Sequence, residues 1–137
     1  MNSKTLKLVR GIRMPTYKIR GKSIVSPGGV YAFGDGIKIE VAVIEMVHAM
    51  PHQGVSSSFS FGRSTGAVEA IAHLMAKRIE WVPPRVWKQH FKLSSVKQES
   101  IDAATVMFGK DYHWTKKADD GIAEAALIAR WYIDKLG

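Results

Sequence analysis

The apolar residues of this chain fall into short runs of strand type separated by stripes of helical spacing. The run Val41-Ala-Val-Ile-Glu-Met-Val47 is rich in β-branched residues and predicts a strand buried on both faces, interrupted by one carboxylate, Glu45. An acid there is costly unless it is paired, protonated or holding a cation; the alternative is a Glu45 that faces solvent at a sheet edge or strand end. Thr5 to Met14 sets Leu6, Leu8 and Ile12 against Lys7 and Arg13, which predicts a half-buried strand ended by Pro15. Residues 15 to 25 read as a basic loop. Ser26-Pro27, followed by Gly28, Gly29, Gly34 and Gly36, suits either a weak helix capped at Ser26 or a glycine-rich turn. No Gly-Lys-Ser/Thr closes these glycines, so they are not a phosphate loop.

From His48 to Phe61 the chain is polar and turn-rich, and Gly62 to Met75 then reads as a helix with Ala67, Ile71, Leu74 and Met75 at helical spacing. Gly66, Ala67 and Ala70 would let another backbone approach closely, as core or as a dimer seam. Ile79 to Val82 is a short strand, and Pro83-Pro84 opens a helix over Arg85 to Phe91. Ser94 or Ser95 caps the next helix, Val96 to Phe108, whose apolar stripe is Ile101, Ala104 and Phe108. Lys97 sits in its first turn, where a cation is unfavourable for the helix dipole; it is either a solvated lysine or, with the free N–H groups, a phosphate site.

The last helical pattern runs from Lys116 to Tyr132. Asp120 and Glu124 are one turn apart and share a face that continues through Leu127, Ile128 and Trp131. Two carboxylates about 4 Å apart repel by roughly 4 kcal/mol at an effective dielectric near 20, so this pair needs a proton, a lysine or a cation. Asp119 points elsewhere, and Asp119 or Asp120 can alternatively serve as an N-terminal charge of the helix.

Composition places these elements in one domain, residues 1–137, of ordinary globular character with 46% hydrophobic residues. Charge changes the picture: 20 Lys+Arg against 12 Asp+Glu give a net +8, which favours polyanions and makes nucleic acid the first partner to consider. Residues 1 to 34 carry seven basic side chains (Lys4, Lys7, Arg10, Arg13, Lys18, Arg20, Lys22) and no acid. With no cysteine, disulfide and thiolate chemistry are excluded, in keeping with a reducing compartment. No apolar stretch is long enough for a membrane span or a signal h-region, so a cytoplasmic location is expected. His48 and His52 flank Pro51 and do not share a helical face, which argues against a zinc site.

A strand acid, two acids on one face of a late helix and a basic surface together describe carboxylates converging on a hard divalent cation for metal-assisted phosphodiester hydrolysis. The segments Val43-Ile-Glu-Met-Val47, Pro51-His-Gln-Gly-Val-Ser-Ser-Ser-Phe-Ser-Phe-Gly-Arg-Ser-Thr-Gly66, Pro83-Pro-Arg-Val-Trp-Lys88, Lys97 and Lys117-Ala-Asp-Asp-Gly-Ile-Ala-Glu-Ala-Ala-Leu-Ile-Ala129 are similar to the RuvC family of Holliday junction resolvases, most of all its small phage-type members. The similarity covers nearly everything from about residue 39 onward, in the family's order. It implies an α/β, ribonuclease-H-like fold, a mixed five-stranded sheet flanked by helices, acting as a homodimer on four-way DNA junctions with Mg²⁺ or Mn²⁺. On that basis Glu45, Asp120 and Glu124 match the metal-binding acids, Glu124 standing where many members have Asp. Lys88 and Lys97 match lysines that contact DNA near the scissile phosphate, with Lys97 in a catalytic role. Arg63, Lys116 and Lys117 add DNA-binding charge. Phe59 and Phe61 are the aromatics nearest the family's junction-unstacking position, with core packing as their alternative. The helix beginning near Gly62 matches the family's dimer seam.

One departure stands out. The family opens with a central strand ending in an Asp-Pro-Gly-like turn that carries the first metal ligand, whereas this sequence has no Asp or Glu before Asp35. Thr5 to Met14 then looks like the family's second strand, so the first central strand is expected to be missing. A truncated gene, a misassigned start and a degenerate member that binds junctions without cutting them are the open accounts. Activity is expected to be reduced or absent in this form, leaving a non-catalytic branched-DNA-binding protein as the alternative function.

Overall fold

The structure is a computed structural model and describes residues 1–109 and 114–137. The described residues form a mixed α/β protein with two small sheets, one antiparallel and one parallel. They cluster into two compact units: Met14–Trp81, which holds the strands, and a helical unit built from Met1–Arg13 and Val82–Gly137.

The strand-bearing unit opens with a hairpin, β1 (Thr16–Ile19) against β2 (Lys22–Val25), in the register Thr16↔Val25, Tyr17↔Ile24, Lys18↔Ser23, Ile19↔Lys22. Its two-residue loop is Arg20-Gly21 with φ +48° and +77°, both in the left-handed region that a type I′ turn requires. Helix α1 (Pro27–Gly34) follows, with the Ser26 hydroxyl accepting from the Gly29 amide at 3.1 Å and Pro27 in the first turn. Of the two forms open to this segment, the capped helix is the one adopted. Gly29 lies so close to Pro15 that an added Cβ would come to 2.5 Å, so only glycine fits. Next come β3 (Ile39–Glu45), α2 (Val55–Met75) and β4 (Ala76–Val82); β3 and β4 pair in parallel, and the 21-residue α2 between them is the crossover such pairing needs.

Several expectations are corrected here. Thr5 to Met14 forms no strand. Its alternation has no partner ladder to satisfy the backbone, and the chain instead turns tightly, with the Asn2 side chain accepting from the Lys4 and Thr5 amides at 2.9 and 3.1 Å; Val9, Ile12 and Met14 stay exposed. The basic loop is the β1–β2 hairpin. Helix α2 begins seven residues earlier than its glycines suggest, taking in the serines and Phe59 and Phe61, and Leu74 is 80% exposed instead of sharing a face with Ala67, Ile71 and Met75. The strand β3 is half-buried, with Glu40 exposed, instead of buried on both faces, and Glu45 is its last residue.

The helical unit contains α3 (Pro84–His90), α4 (Lys97–Phe108), a 3₁₀ turn (Lys117–Asp119) and α5 (Asp120–Leu136). The last helix buries Ile122, Ala123, Ala126, Leu127, Ile128, Trp131 and Tyr132, a broad stripe that includes the apolar positions anticipated below Glu124. Ala104 of α4 and Ala123 of α5 are both fully buried, and their small side chains suit the close packing of these two helices. Trp87 and Leu127 are fully buried as well. Trp114 donates its indole N–H to Thr105 Oγ1 at 3.0 Å, and that hydroxyl donates to the Ile101 carbonyl at 2.8 Å, so a large ring is buried with its one donor satisfied. The residues Ser94 and Ser95 do not cap α4: its N-cap is Val96, and Ser94 instead accepts from the Val96 amide at 3.2 Å and donates to Glu99.

On α5 the Arg130 guanidinium donates to Asp134 at 2.7 Å, and His90 of α3 lies 3.0 Å from the same carboxylate. Burial raises the Asp134 carboxyl, but the hydrogen bonds and charges of Arg130 and His90 outweigh it and hold the group below the usual carboxylate range. A depressed carboxylate adds stability above its unfolded pKa of about 3.9 and loses it as pH falls through the lower folded value. The Asp134→Asn variant is therefore expected to be about 1 kcal/mol less stable than the parent at pH 7, with the gap closing below about pH 4. Urea unfolding across that range measures it, and a gap unchanged at pH 3 would refute it.

Candidate functional site

The helical unit places two of the three anticipated acids together. Asp120 and Glu124 sit one turn apart in the first half of α5, half-buried, opposite the start of α4. Lys97 Nζ lies 3.1 Å from Asp120 Oδ2, and Ser100 Oγ donates to Glu124 Oε1 at 3.2 Å. Lys97 and Ser100 are themselves one turn apart, so the two helices meet in a ladder of two polar rungs. Lys97 is the cation that the acid pair calls for, and Ser100, only 1% exposed, is the partner that sequence reasoning missed. Its signal was the i, i+3 spacing from Lys97 on a helix already known to be amphipathic.

Asp119 has a separate job. It is buried, accepts from Arg13 Nε at 2.6 Å and from the Lys116 amide at 3.1 Å, and so closes the 3₁₀ turn that starts α5. The Arg13 guanidinium, with the Lys116 amide behind it, holds its carboxyl below the ordinary range. The result is that Asp119 points away from the pair, as its spacing suggested, and fixes the register at which Asp120 enters the helix.

The remaining predicted residues are more dispersed. Lys88 is half-buried with Nζ 5.5 Å from the centre of the Trp87 ring, a cation–π contact. It lines an open groove of about 500 Å³ together with Arg85, Lys92, Ser94 and Ser95, and no acid lines that groove. Arg85 and Lys92 were not anticipated; Arg85 and Lys88 are one turn apart on α3, and Lys92, past the end of the helix at φ +56°, joins them in the lining. Lys116 and Lys117 are exposed at the 3₁₀ turn. In the other unit, Arg63 on α2 donates to Tyr17 Oη at 3.2 Å, while Phe59 is 72% and Phe61 36% exposed, so Phe59 is not a core residue. Glu45 ends β3 in that same unit.

The donor chemistry of Asp120, Glu124 and Ser100 is all oxygen, which fits a hard divalent cation such as Mg²⁺ or Mn²⁺. The donor number falls short. Among the described residues no three His, Cys, Asp or Glu side chains form a group able to hold a metal, and an ammonium already neutralises Asp120. The pair can contribute to a cation site and does not complete one. Removing the ammonium tests this directly. Lys97→Met is expected to lower stability by no more than about 1 kcal/mol, because Lys97 is 67% exposed, and to make the melting midpoint more sensitive to added Mg²⁺ than the parent's. Equal Mg²⁺ sensitivity would mean that the pair does not take the ion.

No model of a known protein family matches this chain, and no curated protein matches it. No helix among the described residues is long and apolar enough to cross a membrane.

Proposed function

We propose that this chain is a RuvC-like protein of ribonuclease-H-like fold and that it acts on four-way DNA junctions as a metal-dependent, structure-selective endonuclease. The observation that carries the reading is the acid pair Asp120–Glu124 on the last helix, bridged by Lys97 and Ser100. In this reading Asp120 and Glu124 would be two ligands of a divalent cation, which when bound would supply an activated water for phosphodiester hydrolysis; Glu45 is assigned a metal role by the family resemblance alone. The chain's own residues do the rest. Lys97 neutralises Asp120 until a phosphate arrives and then turns its ammonium to that phosphate; Lys88, with Arg85 and Lys92 in the groove, holds the neighbouring backbone; Phe59, exposed on α2, stacks on an unpaired base. Two copies on one junction would nick opposed strands.

A second reading, junction binding without cleavage, is favoured by one observation: Asp120 is neutralised by a lysine with no metal cation needed. Cleavage of a labelled four-way junction with Mg²⁺ or Mn²⁺ by the parent and by Glu45→Gln separates them. Symmetric nicking by the parent alone supports the nuclease; tight, salt-sensitive binding with no nicking by either supports the binder; a failure to prefer junction over linear duplex removes both.

A further inference from the structure

Three cations of the helical unit gather in one concavity with no carboxylate to neutralise them. Arg85, Lys88 and Lys92 line the open groove of about 500 Å³, and none of the three makes an ion pair among the described residues. Elsewhere in the unit Arg13 meets Asp119, Lys97 meets Asp120 and Arg130 meets Asp134. The helix dipole accounts for only part of the cluster. Lys88 lies in the last turn of α3, where a cation suits the exposed carbonyls, but Arg85 lies in the first turn, where the dipole opposes it.

Backbone strain completes the cluster. Helix α3 ends in a Schellman motif: the Lys92 amide donates to the Gln89 carbonyl at 3.1 Å and the Leu93 amide to the Lys88 carbonyl at 2.9 Å. The motif puts one residue, usually glycine, in the left-handed region, and here that residue is Lys92 at φ +56°. Its ammonium thus reaches the lining from a position that glycine would occupy more easily. Of the two serines in the groove, Ser94 is committed, accepting from the Val96 amide at 3.2 Å and donating to Glu99. The Ser95 hydroxyl has no partner among the described residues.

Charge and shape select the ligand. A phosphodiester brings one negative charge, whereas a phosphomonoester brings about two and three acceptor oxygens. Cations held in one concavity repel one another, and the dianion relieves more of that repulsion. The Arg85 guanidinium can take two of its oxygens side by side, leaving the third to the ammoniums and the Ser95 hydroxyl. A flat anionic layer would meet the exposed Arg85 and Lys92 but leave Lys88, half-buried against Trp87, unused. Phosphodiester hydrolysis makes such a monoester. Water adds to phosphorus, one P–O bond to a sugar oxygen breaks, that oxygen leaves as a hydroxyl, and the phosphate stays on the other strand end. Ser95 stands two residues before Lys97, at most about 7 Å along the backbone, so the groove ends close to the lysine that meets Asp120.

We propose that the groove is a terminal-phosphate pocket, in which Arg85, Lys88, Lys92 and Ser95 hold the phosphomonoester end of a nucleic-acid strand. The inference rests on the nucleic-acid reading of the proposed function and adds to it a grip on the strand end that hydrolysis creates.

The test is fluorescence anisotropy of the full chain with an internally labelled single-stranded DNA oligomer bearing a 5′-phosphate, a 3′-phosphate or hydroxyls at both ends. One phosphorylated form is expected to bind at least about 10-fold more tightly than the hydroxyl form. In Arg85→Gln/Lys92→Gln, which changes two exposed side chains, that ratio is expected to fall to about 1 to 3. Lys92→Gly keeps the result interpretable: glycine suits the left-handed position, so this variant should melt no lower than the parent while its end preference drops. Lys4→Gln/Lys7→Gln removes the same charge from the same unit and should weaken all three oligomers alike, leaving the ratio unchanged. A parent that binds the three oligomers equally, or a double variant that keeps the parent's ratio, overturns the assignment. So does thymidine monophosphate or a phosphatidic acid vesicle that binds more tightly than any oligomer. A four-way junction of hydroxyl-ended strands, measured in parallel with linear duplex, keeps the two readings apart. End preference without junction preference leaves the pocket and removes the junction reading; junction preference without end preference does the reverse.

Discussion

Trp87→Ala is expected to destabilise the helical unit by about 3 to 5 kcal/mol, enough to consume much of the roughly 5 to 15 kcal/mol available to a protein of this kind. The side chain is fully buried on α3, a helix of seven residues that cannot hold itself together by propensity. Deleting the ring loses its transfer free energy and leaves a cavity that the surrounding helices can close only in part. It also removes the face under the Lys88 ammonium, so Lys88 is released from its position along the groove. Trp87→Phe keeps most of the apolar volume and should cost less than half as much. Urea unfolding followed by far-ultraviolet circular dichroism measures both, and a loss below about 1 kcal/mol for the alanine variant would show that the ring is not the anchor its burial indicates.

The second large effect concerns the acid pair. Under the nuclease reading, Asp120→Asn and Glu124→Gln each keep size and hydrogen-bonding capacity while deleting one negative charge, so junction nicking is expected to fall on the order of 10² to 10³-fold, the loss typical of removing one preorganised electrostatic partner of a transition state. Binding to the junction should change little or tighten, because each variant removes a negative charge from a surface that faces phosphate. Asp119→Asn supplies the contrast: its charge is committed to Arg13, so its effect should appear in stability before it appears in nicking. Nicking that survives in Asp120→Asn and Glu124→Gln alike would remove these residues from the chemistry. Loss of both nicking and binding would place them in the architecture of the α4–α5 contact.

How much of this could be read from the chain depends on where a pattern was self-sufficient. The helix α5 was legible because its 3.6-residue stripe runs over many positions, and the same stripe placed Asp120 and Glu124 on one face. Around Pro83-Pro84 the strand-to-helix change was legible from local chemistry alone. Thr5 to Met14 misled because alternation is a property of one strand, whereas a strand exists only with a neighbour to bond, and that neighbour is a matter of the whole fold. The hairpin escaped because Arg-Gly replaces the Asn-Gly that marks such turns. The start of α2 escaped because its first turns are Ser-rich with no side-chain cap, so helix formation there is driven by contact with β2 and α1 and not by propensity. That the acid pair needs a proton, a lysine or a cation was legible from its spacing, but that Lys97 meets Asp120 could only come from the packing of α4 on α5.

The ion pair between Arg13 and Asp119 joins residues 106 positions apart, and the whole strand-bearing unit lies between them in the chain. On the ribosome this order has a cost. Residues 14–81 can assemble while the rest is still being made, but the N-terminal arm has nothing to dock on until α5 has left the exit tunnel. Throughout that interval Arg13 has no carboxylate to meet and the arm's cations remain available to other molecules, nascent nucleic acid and chaperones included. The last segment synthesised is thus the one that anchors the arm, and interruptions of translation before residue 119 should yield a product with a folded middle and two unfinished ends.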